Sequence, residues 1–415
     1  MLPPITWREW PQKLLSVQIT RRKSRKQEGR KIVLKIIVLL VGLGFMFPSS
    51  GRTQQADSVI PLMKEFTSAN GPSGFEGPVR TLFEREMRNA GAEISTDGLG
   101  SVIARAPGGV ASPRIMVAAH LDEVGLMVQS ITRDGYIKVQ RLGGLVGANL
   151  IGQRWTIMTS KGTLPAVSGA EDAHMSTPEG VNWSIDPKNI FLDVGARSKA
   201  DAEALGIQIG DGIAPSSPFT ILANQRYATK AWDDRIGLIL EIEALKQLQK
   251  QGVKSPNSIY FAGTVQEEVG MRGAVTAAHQ IRPDVGIALE VGFAGDYPSM
   301  NSDQPAQKLG GGPGVLVYDS SAIPNAKLLK LVRDTAAANH IALQPGLWSR
   351  GAEDASSIQK SANGIPVICI LVPTRYTHAN TGVIQRSDFD NAVILLVDLL
   401  KNLDASTVKG LTDFQ

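Results

Sequence analysis

Two glutamates, Glu267 and Glu268, stand side by side in the stretch VQEEVGMRGA, after the apolar run IYFAGTV and before a glycine-rich turn. The apolar run predicts a buried strand, which places the pair at the end of that strand. Two adjacent like charges at such a position need either solvent or a cation. If a metal ion is bound there, one glutamate can hold it while its neighbour takes a proton from water.

Four further stretches place carboxylates or imidazoles at predicted strand ends or at the start of a predicted helix. They are AAHLDEVG with His120 and Asp122, KAWDDRIG with Asp233 and Asp234, IALEVG with Glu290, and RYTHANTG with His378. Ligands of open α/β sheets bind beyond the carboxyl ends of the strands, so these side chains can converge at one edge of a sheet.

Each motif also has a purely structural explanation. Asp233 can cap the helix that follows it, and Glu290 can be the buried partner of an arginine. Several buried acids without cations, however, would repel each other and lose their hydration. Two divalent ions roughly 3.5–4 Å apart, as in co-catalytic hydrolases, remove that penalty. Histidine nitrogen together with carboxylate oxygen favours Zn²⁺, with Co²⁺ or Mn²⁺ as alternatives.

These motifs, in this order and with a β-rich segment after the first, resemble the glutamyl or tetrahedral aminopeptidase family of dinuclear metallopeptidases. That family includes deblocking aminopeptidases and members with an old cellulase label. The likeness runs from Leu62 to Leu403 and includes the stretches FLDVGARSKADAEALGIQIGD and KLGGGPG. It implies an enzyme with two divalent metal ions per subunit that acts on peptides with free N-termini. It also implies a homo-oligomer, up to a dodecamer, that assembles through the inserted domain.

The resemblance also implies a role for each residue. Asp233 corresponds to the carboxylate that bridges the two ions, His120 and Glu290 to the ligands of one ion, Glu268 and His378 to the ligands of the other, Glu267 to the general base, and Asp122 to the acid that orients His120. Position 290 departs from the family pattern, because members more often have Asp there. His174 is expected to be structural or near the substrate and not a ligand.

The surrounding elements predict how these residues are positioned. Two helical patterns flank the turn GPSG, and helices alternate with apolar strands from Trp232 onward. Between them lie short β-like pieces such as RWTIMTS, broken by Gly, Pro and Asp. We therefore expect an α/β fold: a three-layer α/β/α metallopeptidase domain of residues 57–126 and 225–405, interrupted by a small β-rich, barrel-like domain at residues 127–224.

The charge of the chain is divided unevenly along its length. Up to Lys35 there are 10 Lys and Arg against 2 acids, so the remaining residues carry 33 against 37. The body is mildly acidic, which argues against a nucleic-acid-binding surface. The single cysteine, Cys369, lies in the apolar run IPVICILVP and excludes an internal disulfide framework.

The first 56 residues have the order of an export signal. The basic stretch RRKSRKQEGRK precedes an apolar core from Ile36 to Phe47, which is followed by the polar PSSGRTQQADS. The core is shorter than the ~20 residues that span a bilayer. This pattern predicts that the protein is exported, periplasmic or secreted, or is anchored through this segment, which would be its sole membrane contact. A mis-assigned start, with a cytoplasmic protein, is the alternative.

Two other functions compete with peptide hydrolysis. A glycoside hydrolase uses two acids that face each other across a sugar and needs no histidine ligands, whereas Glu267 and Glu268 are adjacent and aromatic residues are few. A catalytically decayed metal-binding scaffold would have lost ligands or the base, yet this sequence retains every type of ligand residue and the base. Metal content and activity after chelation separate the three functions.

Overall fold

The computed structural model describes residues 57–145, 147–170, 189–252, 254–298, 300 and 306–414. His174 and the opening segment 1–56 lie outside these residues. The helices are α1 (Val59–Ser68), α2 (Gly77–Asn89), α3 (Lys199–Ala204), α4 (Trp232–Lys250), α5 (Arg272–Ile281), α6 (Ala326–Ala338), α7 (Asp354–Gln359), α8 (Arg386–Asn402) and α9 (Ala405–Leu411).

The strands form a large sheet and a barrel. In chain order they are β1 (Glu93–Thr96), β2 (Val102–Arg105), β3 (Arg114–His120), β4 (Gly125–Ile131), β5 (Ile137–Leu142), β6 (Arg154–Thr159), β7 (Gly162–Gly169), β8 (Phe191–Asp193), β9 (Gly212–Pro215), β10 (Thr220–Leu222), β11 (Arg226–Thr229), β12 (Ser258–Thr264), β13 (Val285–Phe293), β14 (Gly314–Tyr318), β15 (Gln344–Leu347), β16 (Val367–Arg375) and β17 (Gly382–Gln385).

The centre of the sheet is parallel, in the order β12, β3, β13, β16. On one side β2 and then β1 continue it with antiparallel pairing; on the other β17, β11 and β10 do so. Two more strands branch from β16, with β14 antiparallel to it and β15 parallel to β14. Because the four central strands run the same way, their carboxyl ends meet at one edge.

Side chains of the central strands alternate between two apolar layers, as the two-residue period of a strand requires. In β3, Ile115 and Val117 pack with α4 and α8, whereas Met116 and Ala118 pack with α5 and α7. Both faces are therefore covered by helices, and the strands read as continuous apolar runs. Cys369 is buried in β16. The predicted three-layer α/β/α architecture is confirmed.

The β-rich segment closes into a barrel. Within the described residues its strands follow the order β4, β5, β8, β7, β6, β9, with a core that includes Leu126, Trp155 and Ile213. The fold class, an α/β domain with an inserted barrel, is thus confirmed. The domain limits at 127 and 224 stay a prediction: the barrel strands run from Gly125 to Pro215, and β10 pairs with the large sheet. Among the described residues, no helix has both the length and the apolar content needed to cross a bilayer.

Candidate active site

The parallel strands deliver the predicted residues to one edge of the sheet. His120 is the last residue of β3, the Glu267–Glu268 pair follows β12 by a few residues, and Glu290 lies in the second half of β13. His378 comes three residues after β16, and Asp233 stands at the start of α4. These six residues, together with Asp122 two residues after β3, therefore gather at the edge of the sheet formed by the carboxyl ends of the central strands, where open α/β sheets bind ligands.

The carboxylate of Asp233 lies between the two histidines. Its Oδ1 is 2.9 Å from Nε2 of His120, and its Oδ2 is 3.4 Å from Nε2 of His378. Neither Asp233 nor Asp234 has helical backbone angles, although both belong to the first turn of α4. Capping of α4 is done by Asp234, whose Oδ1 accepts the N–H of Gly237 at 3.0 Å. Asp233 is therefore free to serve the site, and the capping explanation applies to its neighbour.

One further carboxylate accompanies each histidine. Oε1 of Glu290 lies 3.4 Å from Nε2 of His120, and Oε2 of Glu268 lies 3.4 Å from Nε2 of His378. The result is two three-residue groups, His120–Asp233–Glu290 and Asp233–Glu268–His378, whose donor atoms lie within 4.8 Å of one another in each group. The two groups share Asp233. The side chain of Glu290 is one methylene longer than that of the aspartate more often found at this position, and its carboxylate still lies among the donor atoms of its group.

The electrostatics of these groups fit divalent cations. Burial, followed by the charge of Asp233, raises the pKa of Glu268 to about 8, and the same two causes raise the pKa of Glu290. Oε1 of Glu268 is buried and has no hydrogen-bond partner among the residues that the structure describes. A protein that left this cluster without cations would need to hold protons on its acids. Two imidazole nitrogens with shared carboxylates are a donor set that suits Zn²⁺ and its neighbours in the first transition row.

Burial alone would lower the pKa of both histidines, but the surrounding acids reverse the direction. Glu290, Asp122 and Asp233 together raise the pKa of His120 well above its ordinary value. The hydrogen bond with Asp233 and the charge of Glu268 raise the pKa of His378 to about 9. The imidazoles are therefore stabilised as cations by the same oxygens that would share a metal ion with them.

Asp122 holds several parts of the site in position through hydrogen bonds. Its Oδ1 accepts the backbone N–H of Glu267 at 2.9 Å, and its Oδ2 accepts the backbone N–H of Glu268 at 3.2 Å and the hydroxyl of Ser73 at 2.6 Å. Nδ1 of His120 lies 3.1 Å from the carbonyl oxygen of Asp122 and 3.4 Å from its carboxylate. Burial would raise the pKa of Asp122, but the hydrogen bond and charge of His120 lower it, so this acid is ionised.

Glu267 belongs to neither three-residue group. It lines a cavity of about 290 Å³ together with Asp233, Glu268, Glu290 and His378, and it is 8% exposed. Burial raises the pKa of Glu267 well above its usual range, and the nearby Glu290 adds to this effect. A carboxylate with a raised pKa beside two groups of possible metal ligands is suited to accept and return a proton.

Sequence reasoning missed a buried ionic network beneath the site. Nζ of Lys230 donates to both oxygens of Glu123, at 2.6 and 2.9 Å, and Arg235 donates to the carbonyl oxygens of Leu121 and Asp122. These residues lie within the motifs AAHLDEVG and KAWDDRIG, next to the predicted site residues, so adjacency was the available signal. The network fixes the backbone that carries His120 and Asp122.

Sequence reasoning also missed two acids on the cavity wall, Asp319 and Glu353. Both are buried, and they belong to loops that precede α6 and α7. Nothing in the local sequence distinguishes them from surface acids of a loop.

Comparison with known proteins identifies the family of this arrangement. The family model for M42 glutamyl aminopeptidase matches residues 100–395. The chain is 35% identical to the putative aminopeptidase FrvX of Escherichia coli over 358 residues, which cover 86% of this chain and 99% of the relative.

Solved structures agree with the sequence comparison. A TET aminopeptidase from a Thaumarchaeota archaeon of marine sediment superposes with a TM-score of 0.84 at 40% identity, covering 86% of this chain and 99% of that one. The Pyrococcus horikoshii TET1 peptidase, described as assembling into a tetrahedron or a large octahedral shell, has a TM-score of 0.75 at 32% identity, covering 83% and 100%. A Thermotoga maritima structure titled endoglucanase is more distant, at 28% identity and a TM-score of 0.68 over 84% of this chain and 99% of that one.

The predicted export or anchoring through residues 1–56 is contradicted by these comparisons. The E. coli relative and the archaeal TET structure are each matched over 99% of their own length by 86% of this chain. These relatives therefore have no segment of their own that could correspond to an export signal or anchor. A basic stretch followed by an apolar core is only a compositional pattern, and here it misled the assignment of location.

A family model that spans most of the chain, relatives matched over nearly their full length and a shared two-part fold lead to one assignment. The chain belongs to the M42 family of metal-dependent aminopeptidases, hydrolases that remove N-terminal residues from peptides.

Proposed function

We propose that the chain hydrolyses the first peptide bond of its substrates with two divalent metal ions held around Asp233. The observation that carries this proposal is the position of the Asp233 carboxylate, with one oxygen 2.9 Å from His120 and the other 3.4 Å from His378. His120 and Glu290 would complete the ligands of one ion, and Glu268 and His378 those of the other. Zn²⁺ is the expected metal, with Co²⁺ or Mn²⁺ as alternatives.

When bound, such ions polarise the scissile carbonyl and acidify water. The protein's own contribution is the handling of the proton. Glu267, buried beside the ligands, accepts a proton from the attacking water and delivers it to the departing amine. Asp122 positions this base by accepting a hydrogen bond from the backbone N–H of Glu267. The carboxylate of Asp122 also holds the ring of His120 through Nδ1.

The cavity restricts the reaction to the ends of peptides. Its volume of about 290 Å³ is at the lower limit of the range for small-molecule sites, so it admits one terminal residue and not a folded segment. Besides the bridging Asp233, the acids Glu267, Glu268 and Glu290 line this end of the cavity, and carboxylate oxygens that are not shared with an ion favour a substrate that enters with its positively charged α-amine.

Self-association is the second part of the proposal. We expect a homo-oligomer, with a dodecamer as the expected size, because one TET1 structure is titled a dodecamer and another is described as assembling into a tetrahedron or a large octahedral shell. Large apolar side chains on the barrel, Ile209 at 72% and Val167 at 49% exposure, are available for such contacts. Light scattering coupled to size-exclusion chromatography would measure the mass, and a monomer would contradict this part.

The test of the activity is digestion of a peptide library with free N-termini, before and after chelation, followed by return of Zn²⁺, Co²⁺ or Mn²⁺. Loss of single N-terminal residues that stops with chelator and resumes with metal is the expected result. Cleavage of cellulose that survives chelation would favour the glycoside hydrolase instead. Protein that binds no metal would favour the decayed scaffold.

A further inference from the structure

The cavity has a second acidic wall that the proposed reaction does not use. Asp319 follows β14 and Glu353 directly precedes α7, and both line the same cavity as Glu267 and Glu290. Their residues are only 1% and 4% exposed. Neither belongs to the two groups of donor atoms around Asp233.

These two acids are buried without cationic partners. Oδ1 of Asp319 is used by a turn, where it accepts the hydroxyl of Ser321 at 2.9 Å and the N–H of Ala322 at 2.6 Å. Within the described part of the chain, its Oδ2 has no hydrogen-bond partner, and neither does either carboxylate oxygen of Glu353. Across the residues that the structure describes, no ion pair to either acid is found within 4 Å.

Asp296, an acid that follows β13, differs from Asp319 and Glu353 because it has a cationic partner. Asp296 is paired with Arg375 through two contacts of 2.7 and 2.6 Å, one to each carboxylate oxygen. A buried carboxylate without such a partner loses its hydration, so it must either hold a proton or meet a cation. Burial, and next the charge of Asp319, raises the pKa of Glu353 well above its usual range. A cation placed between the two acids would offset this cost.

The wall beside these acids is aromatic. Phe293 and Trp348 line the same cavity, with ring centroids 4.4 Å apart and planes inclined at 41°. Aromatic faces pack well against the methylene stem of a long side chain and attract a cation that lies over the ring. An acidic end with an apolar approach is therefore the shape and charge of a pocket for a long cationic side chain.

We infer that Asp319 and Glu353 form a specificity subsite that accepts the cationic side chain of an N-terminal lysine or arginine. This inference rests on the proposed function, since the side chain belongs to the residue that the enzyme removes. Phe293 and Trp348 contact the aliphatic part of that side chain, and the two carboxylates receive its ammonium or guanidinium group. Neutral aliphatic residues enter the same pocket with lower affinity, and acidic residues are repelled by it.

The test is equilibrium binding of L-lysinamide and L-norleucinamide, measured by calorimetry on metal-loaded protein in which Glu267→Gln, the parent of all variants in this test, prevents hydrolysis of the amides. The two ligands share the α-amine, the amide and a four-carbon side chain, and only lysinamide has the terminal ammonium. A charged hydrogen bond in a buried site predicts that lysinamide binds about 10- to 100-fold more tightly. The Glu353→Gln variant should reduce this ratio toward one, whereas the exposed control Asp334→Asn should keep it.

Asp319→Asn gives an independent second variant, because an amide oxygen can still accept the hydrogen bonds of the turn. It should reduce the same ratio, so the inference stays testable if Glu353→Gln does not fold. Equal binding of the two ligands by the parent protein would overturn the subsite. So would variants at both positions that keep the full preference for lysinamide.

Hydrolysis of lysyl- and norleucyl-p-nitroanilide separates this inference from the proposed function. Hydrolysis of both at equal kcat/KM, with equal binding of the amides, removes the subsite and leaves the aminopeptidase. Absence of hydrolysis with a binding preference that Glu353→Gln abolishes would remove the proposed reaction and keep the subsite.

Discussion

The carboxylate of Asp122 accepts a hydrogen bond from the backbone N–H of Glu267 at 2.9 Å. The other oxygen of the same carboxylate accepts the backbone N–H of Glu268 at 3.2 Å. One side chain two residues after β3 therefore sets the position of both glutamates beyond β12. The proposed base and a proposed ligand are held in register with His120 by a single acid.

We expect Asp122→Asn to lower the affinity for metal by about 10- to 100-fold, the usual cost of losing a partner that orients a ligand. The carboxylate of Asp122 accepts hydrogen bonds from the hydroxyl of Ser73 and from the backbone N–H groups of Glu267 and Glu268. In the variant, the NH₂ group of the amide would face one of these donors, and that hydrogen bond would be lost. Competition with a chromophoric chelator measures the affinity. Asp134→Asn, at an exposed turn of the barrel, is the matched control, and equal affinities of the two variants would refute the positioning role.

Glu267→Gln should keep the metal and lose the reaction. The amide has the size of the acid but cannot accept the proton, so kcat should fall by about 10²- to 10⁴-fold. Metal content by mass spectrometry and steady-state kinetics on a dipeptide measure the two effects. Glu203→Gln, on the exposed helix α3, is the control. Turnover at the parent rate would exclude Glu267 as the base.

The convergence of the site was accessible from the sequence because parallel strands place their carboxyl ends together. His120, Glu290 and His378 each lie at or near the end of an apolar run, so a short motif located them on the sheet edge. The start of α4 was predicted less well, since Asp233 and Asp234 depart from helical geometry and only Asp234 caps the helix.

The rest depends on contacts between distant segments. Glu123 and Lys230 are 107 residues apart and meet only in the folded protein. Asp319 and Glu353 lie in loops, where acids are common, and their burial beside the cavity follows from the packing of β14 and α7. For the opening segment the sequence led to a wrong prediction and not to a missed feature. A strong compositional pattern there predicted a location that the comparisons contradict.

Asp233→Ala and His378→Ala should differ in how many ions they lose. Asp233 contributes to both groups of donor atoms, so its removal should abolish the binding of both ions. His378 contributes to one group only, and its variant should keep the ion held by His120 and Glu290. The number of metal ions per subunit, measured after dialysis against a metal buffer, distinguishes the two outcomes. An Asp233→Ala protein with the parent content would disprove the bridging role.

The stability of the protein should fall with rising pH when metal is absent and should not fall when metal is bound. In the chelated protein the pKa of Glu268 is raised from 4.5 to about 8, by burial first and by Asp233 next. The acids around His378 outweigh its burial and raise its pKa from 6.5 to about 9. The folded state thus binds more protons than the unfolded state within these windows, so stability falls as pH rises through them.

Bound divalent ions hold the same groups without protons, so the metal-loaded protein should lose this dependence. Melting temperatures measured from pH 5 to pH 9 should therefore decline in chelator and stay level or rise with metal. Glu268→Gln should remove the part of the decline that the acid causes and reduce the part due to His378, whose pKa the charge of Glu268 helps to raise. Parallel curves with and without metal would mean that these side chains do not exchange protons for ions, and the proposed ligand set would then have to be abandoned.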